Sequence, residues 1–321
     1  MIQLSVNWNP SPELFNIFGL SIRYYGLMFV IAFLLGGYLL KKIYKNEGVK
    51  EEYIEPLFMY VVIATIVGAR LGEVFFYNWK YYKNHLSEIL LPISENETSS
   101  MLFGLIKGYE FIGFRGLASH GAIIGIIFAL YLYTRKYNYK SLLWILDRAV
   151  IPSAIGAAFV RIGNLMNSEI VGKVTNSDFG FKFIRDTYNS KDAIFITKAE
   201  TTERAYELIG SSPRFKSYLA EVPNRYPTQI YESLSYVIVF AILWYVYWKT
   251  NKKDKPGYLF GMFMVFLWTV RLVIEFFKEA QIDAREDMIG PFNTGQILSI
   301  PMIAIGLYFM FRKVKKATLN N

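Results

Sequence analysis

Three arginines, Arg70, Arg161 and Arg271, lie inside apolar stretches long enough to cross a membrane. A charge at membrane depth is costly and is kept for a function, facing protein or a water-filled cavity. Polar residues follow each arginine at helical spacing: Glu73 after Arg70, Asn164 and Asn167 after Arg161, Glu275 after Arg271. Cations gathered at one leaflet make a site for an anion, and the anion at hand there is a phospholipid headgroup. Guanidinium grips phosphate oxygens as a two-pronged fork, so such a site can hold a lipid phosphate or stabilise one as it departs. The plainer alternative is a structural salt-bridge network in which Arg70 and Glu73, and Arg271 and Glu275, neutralise each other.

The elements that must position these residues are membrane spans. Of 321 residues, 53% are hydrophobic and 17% aromatic, too greasy for an ordinary soluble domain. The expected fold is an all-α integral membrane protein, a bundle of about seven transmembrane helices with a small extracytoplasmic head. The apolar runs place the spans at 19–40, 54–78, 116–134, 142–166, 227–248, 257–278 and 296–311, with the head at 167–226. Basic residues crowd alternate connections: Lys41, Lys42, Lys45 and Lys50; Arg135, Lys136 and Lys140; Lys249, Lys252, Lys253 and Lys255; Arg312, Lys313, Lys315 and Lys316. The positive-inside rule then puts the N terminus outside and the C terminus in the cytoplasm. This pattern also explains the net charge of +9, and no motif suggests nucleic acid. The first 20 residues lack Lys and Arg, so no cleaved leader is expected. There is no cysteine, which excludes disulfides, thiolate metal sites and a nucleophilic Cys in this chain.

In this topology spans two, four and six run outward. Arg70 and Glu73 fall near the outer end of span two. Arg161, Asn164 and Asn167 stack on one face of span four. Arg271 is 14 residues past Gly257, about 21 Å along a helix, with Glu275 one turn further. His120 opens span three, Gln229 and Glu232 lie in the first turns of span five, and Arg23 and Tyr25 start span one. Six of seven spans thus put polar groups at one depth, as a cavity open to the outer leaflet requires. Tyr25 either lines that cavity or belongs to an interfacial aromatic belt, with Trp79, Tyr81 and Tyr82. His120 is one of 2 histidines. It is either a general base, with an ordinary pKa near 6.5, or a structural or lipid contact; His85 reads as solvated. Asp147 and Arg148 read as structural. Gly68–Gly72 and Gly121–Gly125 are both Gly-x-x-x-Gly, a device for close helix packing. The loop 79–115 reads as amphipathic pieces at the membrane surface.

The pieces Arg23-Tyr24-Tyr25-Gly26-Leu27-Met28, Gly68-Ala69-Arg70-Leu71-Gly72, Ser119-His120-Gly121, Arg161-Ile162-Gly163-Asn164 with Asn167, Glu169 and Gly172, Tyr226-Pro227-Thr228-Gln229-Ile230-Tyr231-Glu232, Arg271-Leu272-Val273-Ile274-Glu275-Phe276-Phe277 and Gly295-Gln296-Ile297-Leu298-Ser299 occur in one order along the chain. In this the chain resembles the prolipoprotein diacylglyceryl transferase family. It departs from the family pattern at Ala122, Tyr226, Lys278 and Ala280-Gln281. The resemblance implies a transferase of the bacterial inner membrane. It would move the diacylglyceryl group of phosphatidylglycerol to the lipobox cysteine thiol of a preprolipoprotein, releasing glycerol 1-phosphate. It implies His120, Arg161 and Arg271 as catalytic. Tyr25, Arg70, Arg161, Asn164, Asn167, Glu169, Gly172, Gln229, Glu232, Arg271 and Glu275 are expected around the phosphatidylglycerol, and the chemistry of the residues suggests Glu169 and Glu275 as partners that orient the arginines. No cofactor or metal is expected. The rival readings are a lipid transporter, whose polar residues would run through the full depth or recur in a repeated half, and another phospholipid-processing membrane enzyme.

Overall fold

The computed structural model describes residues 5–17, 20–91, 93–101, 106–111, 118–177, 179–279 and 294–313. The first residues of the expected third span (116 and 117), parts of the 79–115 loop, Ala280-Gln281, and Lys315 and Lys316 of the tail lie outside the described residues. In chain order the strands are β1 (Val6–Trp8), β2 (Glu13–Ile17), β3 (Leu20–Arg23), β4 (Ile93–Met101), β5 (Ile106–Phe111), β6 (Phe181–Phe183) and β7 (Asn224–Arg225). The helices are α1 (Tyr24–Asn46), α2 (Ile54–Phe76), α3 (Trp79–Tyr82), α4 (Ser119–Tyr137), α5 (Leu142–Met166), α6 (Ile184–Thr187), α7 (Ser190–Thr197), α8 (Thr202–Ser211), α9 (Lys216–Glu221), α10 (Thr228–Lys249), α11 (Tyr258–Ile274) and α12 (Thr294–Phe311).

The protein is mostly helical, and the strands are short additions that the all-α expectation did not contain. A helix falls on each expected span. Among the described residues four are long and apolar enough to cross a membrane: α1, α2 with the turn before it (Glu51–Phe76), α5 and α10. The helices Tyr258–Ile274 and Gly295–Phe311 are apolar but shorter. The sixth expected span ends early. α11 stops at Ile274, and the backbone beyond it pairs with residues 171–173 instead of continuing as helix.

The chain divides into two compact units. One is Lys41–Ile145. Within it α2 and α4 pack backbone to backbone. A Cβ added at Gly121 would lie 2.2 Å from the Gly68 carbonyl oxygen and 2.5 Å from the Gly72 Cα. Both glycine motifs therefore serve the approach of two helices that lack any larger side chain between them. Tyr53 and Tyr139 stack with centroids 4.1 Å apart, and the Tyr133 hydroxyl donates to the Tyr53 carbonyl at 2.6 Å. Among its described residues the 79–115 segment holds α3, a 3-10 turn at Leu86–Glu88 and the antiparallel β4–β5 hairpin.

The other unit is Met1–Leu40 with Leu146–Asn321. Here α11 and α12 meet at Gly261 and Gly306, where an added Cβ would come within 2.5 and 2.7 Å of the opposite carbonyl oxygen. Asp147 is fully buried and caps α11, accepting from Gly257 N at 2.6 Å and Phe260 N at 2.8 Å. The head residues 167–226 close on their own small core of Ile184, Ala193, Ala205, Tyr206, Ile209 and Val222. Asn189 caps α7 and Thr201 caps α8 through their side-chain oxygens. β1 pairs in parallel with β6, Val6 opposite Phe181, and β6 pairs antiparallel with β7. The Trp8 indole N–H donates to the Leu165 carbonyl at 2.8 Å, tying the N-terminal strand to the end of α5.

Candidate functional site

The site is built where α5 ends and α10 and α11 present their polar residues. Arg161 lies one turn and a half before the end of α5. Its Nε is 2.8 Å from the Glu232 Oε2, and Glu232 is almost wholly buried one turn into α10. Its NH1 donates to the Asn164 Oδ1 at 3.3 Å. The i, i+3 spacing read from the sequence therefore does join these two side chains. Tyr236, buried one turn after Glu232 on the same face of α10, interacts with the Arg161 guanidinium. Tyr25, at the start of α1, interacts with Arg161, Asn164 and Glu169. Its ring leaves no room for a side chain at Gly163, where an added Cβ would be 2.8 Å from the ring. That contact accounts for a glycine between Arg161 and Asn164.

Arg271 occupies the last turn of α11. Its guanidinium lies 5.3 Å from the Trp268 ring centroid, within cation–π range. Its Nε is buried and, among the described residues, has no hydrogen-bond partner. A buried donor left unmet is expensive unless a ligand meets it. Glu275 caps the same helix and fills the space a side chain would need at Gly295, whose added Cβ would be 2.7 Å from the carboxylate. Lys278 is buried and lies within electrostatic reach of Glu232, Arg161, Glu275 and Arg271. Three basic side chains thus gather with two acidic ones. Lys278 and Tyr236 were not singled out from the sequence as site residues. The available signal was position: Lys278 is three residues past Glu275, and Tyr236 four past Glu232.

The segment after α5 is threaded between two others. Gly172 N donates to the Tyr226 carbonyl at 3.1 Å, and Lys173 N to the Phe277 carbonyl at 2.8 Å. A Cβ at Gly172 would come 2.3 Å from the Tyr226 oxygen and 2.9 Å from the Phe277 oxygen, so only glycine fits. Gly172 thus serves backbone packing, which joins the motifs around Arg161, Thr228 and Arg271 into one structure. Asn167 donates to Glu169 Oε1 at 2.5 Å, and Glu169 is exposed. The carboxylate paired with Arg161 is Glu232, while Glu169, expected to orient the arginines, is bonded to Asn167. Gln229 donates to the Glu169 carbonyl at 2.7 Å. Among the described residues no group of three His, Asp or Glu side chains gathers as metal ligands.

Arg70 and His120 belong to the other unit. Arg70 is buried; its Nε donates to the Ile89 carbonyl at 3.0 Å and its NH2 to the Glu88 carbonyl at 2.5 Å, with the Tyr82 ring beneath. Glu73 accepts from Asn78 at 2.7 Å. The Glu88 carboxylate accepts from the Tyr81 hydroxyl and from Glu95 N. His120 is exposed in the first turn of α4. His85, read from the sequence as solvated, is in fact held: it stacks on Tyr81 with centroids 4.2 Å apart and lies 3.5 Å from the Glu95 carboxylate.

Apolar helices long enough to cross a bilayer, with Arg161 paired to the buried Glu232 near the end of one of them, define a membrane protein. The chain belongs to the prolipoprotein diacylglyceryl transferase family, whose pattern matches residues 12–312. It is similar to the phosphatidylglycerol–prolipoprotein diacylglyceryl transferase of Bacteroides fragilis, with 37% identity over 99% of this chain and 98% of that one. The protein of the same name from Porphyromonas gingivalis is 36% identical over 97% and 95% of the two chains, and that from Chloroherpeton thalassium 34% over 98% and 96%.

Proposed function

We propose that the protein transfers the diacylglyceryl group of phosphatidylglycerol to the lipobox cysteine of preprolipoproteins, the first step of bacterial lipoprotein maturation. The observation that carries the chemistry is the buried Arg271 Nε, without a partner among the described residues, in the same cluster as the Arg161–Glu232 pair. In the reaction the substrate thiol loses its proton and its sulfur attacks the glycerol carbon that bears the phosphate. The carbon–oxygen bond breaks, a thioether forms, and glycerol 1-phosphate leaves with the bonding pair. The nucleophile belongs to the substrate, so a chain without cysteine can perform the transfer.

Arg161 and Arg271 hold the phosphate and stabilise the charge it gains on leaving. Glu232 keeps the Arg161 guanidinium fixed, so the clamp is set before the lipid arrives. Glu275 orients Arg271 from the cap of α11. Asn164 and Tyr25 meet the glycerol hydroxyls, supported by their common contact with Arg161. Asn167 and Glu169 act as a bonded pair. In this reading Arg70 holds the 86–89 turn through its backbone bonds. The thiol proton goes to His120, an assignment carried by the Ser119-His120-Gly121 motif.

The membrane is the bacterial cytoplasmic membrane. The helices on the seven expected spans, α1, α2, α4, α5, α10, α11 and α12, cross it, with the N terminus and the 167–226 head outside and the C terminus inside. The basic connections support this orientation, and so does the pairing of β1 with β6, which needs the N-terminal segment and the head on one side. The test is incubation of pure protein with phosphatidylglycerol vesicles and a lipobox peptide, followed by mass spectrometry. Thioether peptide and glycerol phosphate in equal amounts are expected, with neither from a Cys→Ser peptide. Product without glycerol phosphate release would refute the reaction.

A further inference from the structure

The turn that follows α5 is conformationally costly. Ser168 has φ 53° and Ile170 φ 59°, both in the left-handed region, and neither is glycine or asparagine. A β-branched residue there is a steric outlier that persists only where its surroundings impose it. The surroundings that do so are the first two residues of α10. The Thr228 hydroxyl donates to the Ile170 carbonyl at 3.1 Å and the Gln229 amide to the Glu169 carbonyl at 2.7 Å. Both side chains are fully buried. The Gln229 Oε1 is buried without a partner among the described residues, so the amide is retained for the bond it donates. The turn also closes on α5, through Glu169 N to the Asn164 carbonyl at 2.9 Å. Between its two left-handed residues it carries Glu169, bonded to Asn167 and interacting with Tyr25.

We infer that Thr228 and Gln229 are positioning residues: they hold the strained Ser168–Ile170 turn and so fix Glu169 and Asn167 beside Tyr25 and Arg161. This moves Gln229 from the lipid to the backbone. The inference rests on the transfer reaction proposed above, and strained backbone held from outside is a recurrent way of presetting a functional side chain.

The clamp is read by pairing a lost donor with a relaxed turn. In the vesicle assay Thr228→Val is expected to lower kcat about tenfold, the loss of one buried hydrogen bond, with KM for phosphatidylglycerol changed less than about twofold. Thr228→Ser keeps the hydroxyl and restores turnover. Adding Ile170→Gly to Thr228→Val recovers most of the loss, because glycine enters the left-handed region unaided. A Thr228→Val protein with wild-type kcat, or a double variant no better than Thr228→Val, overturns the inference. Should Thr228→Val fail to accumulate, Gln229→Leu with and without Ile170→Gly makes the same comparison. A wild-type chain inert in the assay would count against the transfer reading instead. The clamp is then judged from melting temperatures, where the double variant must again exceed the single one.

Discussion

The Arg161 Nε and the Glu232 Oε2 are 2.8 Å apart, and Glu232 has almost no access to solvent. Burying either charge alone is far more costly than burying both, so each makes the other tolerable. The pair has a second consequence: α5 and α10 are registered by it, which sets the position of Asn164 and the turn beyond. Glu232→Gln leaves the cation uncompensated. It is expected to cost about 3 kcal/mol of stability, while Arg161→Ala with Glu232→Gln costs less than the two single changes added together. Thermal unfolding in detergent, run as a double-mutant cycle, measures this coupling. Strict additivity would show that the pair contributes nothing.

Arg271 differs from Arg161 in having a buried donor without a partner among the described residues. Lysine keeps the charge but not the planar fork. Arg271→Lys is therefore expected to fold normally and to turn over about 10²–10³-fold more slowly, the loss typical of one preorganised donor to a developing anion. Phosphatidylglycerol-dependent thioether formation is the measurement. Normal turnover in Arg271→Lys would remove the two-pronged grip from the mechanism.

What could be read in advance followed from physics that acts along the chain. Long apolar runs located every large helix, and the three-residue step from Arg161 to Asn164 survives as a contact. The glycine motifs correctly announced helix packing. The head was not legible as structure, although Asn189 and Thr201 are ordinary N-caps before short helices. Its core has few residues, and its sheet depends on a strand at Val6 meeting one at Phe181, a pairing no local pattern records. The left-handed Ser168 and Ile170 were equally hidden. Their residue types argue against that conformation, and only the buried donors on α10 impose it. Glu232 as the partner of Arg161 is likewise a tertiary fact, invisible to spacing within one helix.

Gly121 tests the packing of α2 on α4 directly. Its added Cβ would overlap the Gly68 carbonyl and the Gly72 Cα, both backbone atoms that cannot move aside. Gly121→Ala should destabilise the Lys41–Ile145 unit by about 3 kcal/mol, the upper range for an overpacked contact. Gly26→Ala is the control, since among the described residues nothing beyond its own stretch of helix lies within 4 Å of its added Cβ. Equal melting temperatures for the two variants would contradict the close approach.

Asp186 in the head makes stability depend on pH. Burial raises its pKa above the ordinary 3.8, opposed by the Arg225 guanidinium and reinforced by the Glu279 carboxylate. The folded chain therefore keeps this proton to a higher pH than the unfolded chain. The contribution favours folding at low pH and is lost as pH climbs from 3.8 through the raised value. Asp186→Asn cannot lose a proton, so its stability should fall less than the wild type over that interval. Urea unfolding of both proteins across the interval decides the matter; parallel curves would mean that Asp186 titrates alike in both states.

His120 stands apart from the arginines because its proposed role is to take a proton rather than to hold a charge. An ordinary imidazole is half protonated near pH 6.5, so a base of this kind gives turnover an acidic limb that falls as the ring protonates. His120→Gln retains hydrogen-bonding capacity but cannot accept the thiol proton at neutral pH. Its turnover should drop by about 10²–10⁴-fold, and the remaining rate should lose the acidic limb. Substituting a lipobox peptide presented at higher pH, where more of the thiol is already ionised, should recover part of the loss. A His120→Gln enzyme with a wild-type pH profile would assign the proton elsewhere and leave His120 to packing at the start of α4.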